Sequence, residues 1–153
     1  MFVLAHEKYK ETIGKQYTDV ETIRTGIRNH LYDEKNGVFK LSDQRAGTSQ
    51  LANSLAILAG VEGADEKLAA KLIEDVKNKW SADGGMTKAS LSMKAFLYDA
   101  LLSFNKPEYN KVVEDDIRFY YNKMMNAPYF SGTFWEDELG QAAFDNAGSL
   151  CHG

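Results

Sequence analysis

Cysteine is almost missing from this chain. Cys151 is the only one in 153 residues, and a single thiol excludes an internal disulfide framework. Proline is nearly as scarce: Pro107 and Pro128 are the only two, so little in the sequence interrupts long helices. No apolar run approaches the roughly 18 residues that a membrane-spanning helix needs. The apolar start Met1-Phe2-Val3-Leu4-Ala5 is broken at once by His6-Glu7-Lys8, which does not read as a secretory leader. Basic residues form no stripe and the formal net charge is −4, so no nucleic-acid partner is expected. The three histidines, His6, His30 and His152, stand far apart. That spacing offers no metal site, no cofactor is expected, and His6 and His30 read as surface residues.

What is present is ordinary core material. The hydrophobic fraction is 44% and the charged fraction 26%, values from which one domain, or a piece of a larger one, can bury a core. The apolar period is helical nearly throughout. Residues 1–13 read as a helix. Thr18-Asp19 offers a cap for a second, with Val20, Ile23, Ile27 and Leu31 on one face. Asp33 to Gly37 is a turn, and Val38-Phe39-Lys40-Leu41 alternates like a short strand. Thr48 or Ser49 caps a third helix with Leu51, Leu55 and Leu58 on one face. Ala64-Asp65 starts a fourth, where Leu68, Leu72, Val76 and Trp80 recur every four residues. Ser90 caps a fifth, running through Leu97, Tyr98 and Leu101 to Phe104. Pro107-Glu108 opens a sixth, since proline is tolerated in a first helical turn.

No fixed repeat marks a solenoid. The expectation is an all-α chain of sequential antiparallel helical hairpins, part of an α/α toroid, filling residues 1–153 with no second domain. From Pro128 onward the character changes. The stretch is rich in Gly, aromatic and acidic residues and keeps no period, and in so helical a chain such a segment is more often functional than idle.

Within it, Thr133-Phe134-Trp135-Glu136 sets a carboxylate directly after two aromatic residues. Sugar rings stack on aromatic faces, so Phe134 and Trp135 could form a subsite while Glu136 works at the anomeric carbon. The competing reading makes both aromatics core and Glu136 a solvated helix cap. Asp137, Glu138 and Asp145 add to a carboxylate-rich loop. In the polar stretch Asp43 to Gln50, Arg45 or Gln50 could face a sugar hydroxyl, or the stretch is a structural loop with a helix cap. Cys151-His152, adjacent in sequence, does not make the spatially assembled pair of a thiol hydrolase.

Thr133-Phe134-Trp135-Glu136, followed by Gly140, Phe144 and Gly148-Ser149-Leu150-Cys151-His152-Gly153, resembles the end of the catalytic domain of bacterial α-L-rhamnosidases of glycoside hydrolase family 78. Gln50 to Ala56 resembles an inner helix of those enzymes, and Ser90 to Phe104 resembles the helix preceding their final hairpin. The resemblance implies an (α/α)6 barrel and inverting hydrolysis of terminal α-L-rhamnosyl units. It implies that Glu136 is the catalytic base, that His152 contacts the rhamnose unit, and that Trp135 lines the subsite. An inverting pair of carboxyl groups stands about 6.5–9.5 Å apart, leaving room for the attacking water.

The family's acidic motif, which carries the general acid, has no counterpart here; Asp43-Gln44-Arg45 has the wrong order. Twelve helices with their loops would also need roughly 190 residues. The chain is therefore expected to be the C-terminal part of such a domain and inactive in isolation. Its inner helices are expected to expose apolar faces, and so to drive self-association or a rearranged packing of the helices, because large apolar patches are rare on soluble monomers. The alternative is a non-catalytic helical module that binds carbohydrate or protein.

Overall fold

The computed structural model describes residues 1–15, 19–78, 85–127 and 132–136. Trp80, Pro128, Asp137, Glu138, Asp145, Cys151 and His152, and the Arg45 side chain, lie outside that set. The described part is mostly helical: α1 Phe2–Ile13, α2 Val20–Leu31, α3 Gln50–Leu58, α4 Glu66–Lys77, α5 Lys94–Leu102 and α6 Pro107–Met125. Short polar side chains start several of them. Asp19 accepts from the Glu21 amide, Ser49 from Ala52, and Asp65 from Lys67 and Leu68, each satisfying an orphan N–H of a first turn. Ser90 makes no such bond. It precedes a short 3-10 turn, Leu91–Met93, and α5 proper begins at Lys94.

The all-α expectation needs one correction. Three short strands, β1 Tyr32–Asp33, β2 Val38–Ser42 and β3 Arg45–Thr48, form an antiparallel sheet in sequence order. Tyr32 pairs with Phe39, and Lys40 with Thr48. The cause is local. The Asp33 carboxylate accepts from the Lys35 and Asn36 amides, which closes the first turn and sends the chain back. The middle strand is then held by a helix side chain. Phe39 N donates to Asn53 Oδ1 at 2.8 Å and Asn53 Nδ2 donates to Phe39 O at 3.1 Å. Asn53 on α3 thus does for Phe39 what a neighbouring strand would do.

α3 buries its polar side more deeply than its leucines. Its fully buried residues are Gln50, Asn53, Ser54 and Ala56, while Leu51, Leu55 and Leu58 are only partly buried. The polar face can turn inward because it is satisfied there. Gln50 Nε2 donates to Asp75 Oδ2 at 2.7 Å and Gln50 Oε1 accepts from the Ala89 amide at 3.0 Å. Asp75 Oδ1 accepts from the Met86 amide at 2.9 Å. This network ties the 86–89 segment to α3 and α4.

α3 packs chiefly on α5, α4 touches α3 and α6 about equally, and α5 also touches α6. The short α5–α6 connection makes that pair a hairpin. Leu68, Leu72, Leu97 and Leu101 are wholly buried between them; each such side chain contributes roughly 1.5–3 kcal/mol of transfer free energy. α1 leans on this body through Val3 and His6. His6 is therefore buried and not at the surface, under the ring of Phe2 one turn earlier. His30 is exposed, as read.

Candidate functional site

Two i, i+4 pairs build the floor of the site. Lys94 and Tyr98 stand one turn apart on α5, and Asp116 and Tyr120 one turn apart on α6. That spacing puts each pair on one face of its helix, and the two faces meet. Lys94 Nζ donates to Asp116 Oδ2 at 2.8 Å, and the Tyr98 hydroxyl donates to the same oxygen at 2.8 Å. Lys94 Nζ also lies 4.4 Å from the centre of the Tyr120 ring, within range of a cation–π attraction. Lys94 is 5% exposed and Asp116 1%. Charges buried this deeply stay ionised only because they are paired and hydrogen-bonded.

Tyr98 is tuned in one direction. Burial pushes its phenol up first, and then the Asp116 charge and the hydrogen bond to it push further. It keeps its proton far above the ordinary tyrosine range and acts here as a donor, not a base.

Above the floor lies a cleft of about 390 Å³, bounded by the Leu91–Met93 turn, the start of α5, the second half of α6 and the 132–136 segment. Aromatic rings dominate its walls: Tyr98, Tyr120, Tyr121, Phe134 and Trp135. The last two arrive through a sharp turn. Gly132 sits at φ 74°, a left-handed conformation that a side chain disfavours. Trp135 is 2% exposed and packs on Tyr120 and Met124. Phe134 is 49% exposed and stands edge-on to Tyr121 with ring centres 5.4 Å apart. The two aromatics thus divide: Trp135 is a buried wall, and Phe134 is a rim. Glu136 follows directly and is partly exposed, in a segment whose described residues are not helical.

The arrangement suits a neutral, ring-shaped ligand. Flat aromatic faces give area without charge. Ser92 adds a hydroxyl at the lining, and Lys94, the only charged residue among the described lining residues, is already neutralised by Asp116. Gln50 is not part of this site, because both ends of its amide are taken up inside the protein. Sequence reasoning missed Lys94, Asp116, Tyr98 and Tyr120 as a unit. One signal was available: Asp116 falls on the buried stripe of α6, with Val112, Val113 and Tyr120, where a lone carboxylate needs a partner.

Among the described residues no group of His, Cys, Asp and Glu side chains could hold a metal ion, and no helix is long and apolar enough to cross a membrane. Fold and cleft together define a mostly helical protein with an aromatic cleft over a buried ion pair. No family model, curated protein or solved structure matches the chain.

Proposed function

We infer that the chain is part of the helical catalytic domain of an inverting glycoside hydrolase of the α-L-rhamnosidase kind. Glu136 is the candidate base, Trp135 a wall of the sugar subsite, and His152 a contact to the sugar. The observation that carries the reading is the placing of Phe134 and Trp135 in the wall of the aromatic cleft, immediately before a partly exposed Glu136.

In an inverting step, the base takes a proton from water as the water's oxygen bonds to the anomeric carbon. A second carboxyl group protonates the departing oxygen. The base reading gives Glu136 the first task. The second belongs to a group outside this sequence, so the 153-residue chain alone is proposed to be inactive.

Two measurements test this. Titration with L-rhamnose, followed by Trp135 indole fluorescence in a Trp80→Phe background, is expected to saturate in the millimolar range, as is usual for one small sugar. No response would sink the sugar-site reading. Incubation with an aryl α-L-rhamnoside is expected to release nothing above the buffer rate. Release that disappears in Glu136→Gln would confirm the base and overturn the missing acid.

A second reading, a module that binds carbohydrate or protein without cleaving it, is favoured by one feature. The described lining of the cleft contains no carboxylate. In that case Glu136→Gln leaves sugar binding unchanged, and no longer polypeptide containing this segment would turn over a rhamnoside.

A further inference from the structure

The outward face of α6 carries two rows of side chains at i, i+4 spacing. One row is Val113, Ile117, Tyr121 and Met125. Val113 is buried and only floors the groove, while Ile117 is 37%, Tyr121 45% and Met125 63% exposed. The other row is Asn110, Glu114, Arg118 and Asn122, with Glu114 and Arg118 ion-paired at 2.8 Å. Between the rows runs a shallow groove of about 460 Å³ whose described lining residues all belong to α6. It is separate from the aromatic cleft, and Ile117 and Tyr121 form the ridge between the two.

We propose that this face joins two copies of the chain, with their α6 helices antiparallel about a two-fold axis. A two-fold contact must complement itself, because the same surface supplies both sides. The polar row meets that condition. Reversed and laid against itself, it sets Asn110 opposite Asn122 and Glu114 opposite Arg118, and the symmetry makes each pairing twice. A parallel arrangement would set Glu114 against Glu114. In the antiparallel register the apolar row interdigitates. Ile117 of one copy falls between Val113 and Ile117 of its partner, as knobs fill holes between packed helices.

The contact is small. From Asn110 to Asn122 the stripe runs about 18 Å at 1.5 Å per residue. A strip of that length and about 10 Å wide buries on the order of several hundred Å² per copy, below the standard size of a specific interface. The dimer is weak and reversible, with a dissociation constant in the micromolar range. It does not use the helices α3 and α5.

Sedimentation velocity on the 153-residue chain, from about 10 to about 500 µM, tests this. The sedimentation coefficient is expected to rise with concentration toward that of a dimer. Glu114→Arg and Arg118→Glu each place like charges opposite one another twice, and each is expected to weaken association at least tenfold. The double variant exchanges the charges, keeps the complementarity, and is expected to regain wild-type association. Glu114 and Arg118 are exposed and do not line the aromatic cleft, and circular dichroism checks that each variant is folded. A chain that stays monomeric throughout overturns the proposal. So does association that the single variants leave unchanged, or a double variant as weak as the singles.

Discussion

Lys94→Met removes the cation from a pair in which both partners are nearly inaccessible, 5% for Lys94 and 1% for Asp116. The methionine fills most of the space left by the lysine stem, so packing is largely retained and the charge is what changes. Asp116 keeps the Tyr98 hydroxyl but loses its cation. Breaking a buried pair from one side costs about 3–5 kcal/mol, set against a total stability of about 5–15 kcal/mol. For a chain of this size, a loss of that order lowers Tm by roughly 10 °C.

Urea unfolding at pH 7, followed by far-UV circular dichroism, measures the loss. Lys94→Met with Asp116→Leu removes both charges and is expected to recover to within about 1 kcal/mol of the parent. A single variant costing less than about 1 kcal/mol, or a double variant no better than the single, would refute the view that the pair is held by mutual neutralisation.

Other perturbations test the scaffold. Gln50→Leu removes the donor to Asp75 Oδ2 and leaves the Ala89 amide without its acceptor, and is expected to cost about 2 kcal/mol in urea unfolding; a neutral result would mean the 86–89 segment is not tied down through this amide. Gly63→Ala strains a residue at φ 88° and places a Cβ 2.9 Å from the Tyr32 ring, so a loss of about 1–3 kcal/mol is expected; an unchanged Tm would show that Tyr32 swings away freely. Tyr98 has a raised folded pKa, so its contribution is complete below the unfolded value of about 10 and is lost as pH rises beyond it. Tyr98→Phe is expected to flatten the alkaline decline in stability above that pH, and a decline as steep as the parent's would rule Tyr98 out as its source.

Much of the helical frame was legible because its signals are local. Asp19, Ser49 and Asp65 cap the helices they precede, and Pro107 opens α6. Each acts within one turn of its own position. The sheet was half legible for the same reason. Val38 to Leu41 alternates, and the Asp33 turn is visible in the sequence. The third strand, Arg45–Thr48, was not, because its polar residues resemble a loop until a partner strand is placed beside them. α3 misled for a deeper reason. Its leucines advertise an apolar face, yet Gln50, Asn53 and Ser54 are the buried side. Hydrophobic patterning assigns polar residues to water unless their partners are known. Ser54 bonds the Gln50 carbonyl one turn back, but Gln50 and Asn53 find Phe39, Asp75 and Ala89, each more than a dozen residues away.

The site divides along the same line. Phe134, Trp135 and Glu136 could be singled out because they adjoin in sequence. The ion pair beneath them could not, since Lys94 and Asp116 are 22 residues apart and each looks like a routine surface charge on its own helix. Period alone could have raised the question for Asp116, which lies in register with Val112, Val113 and Tyr120. A buried ion pair of this kind is weak support for stability in itself, because a well-packed apolar replacement is often equally stable. Its clearer consequence is geometric. It fixes α5 against α6 at the depth where Tyr98 and Tyr120 line the cleft, and Trp135 packs on Tyr120. The wall that leads to Glu136 is therefore registered to the ion pair through one ring. A variant that loosens the pair should move the Trp135 fluorescence even where folding survives.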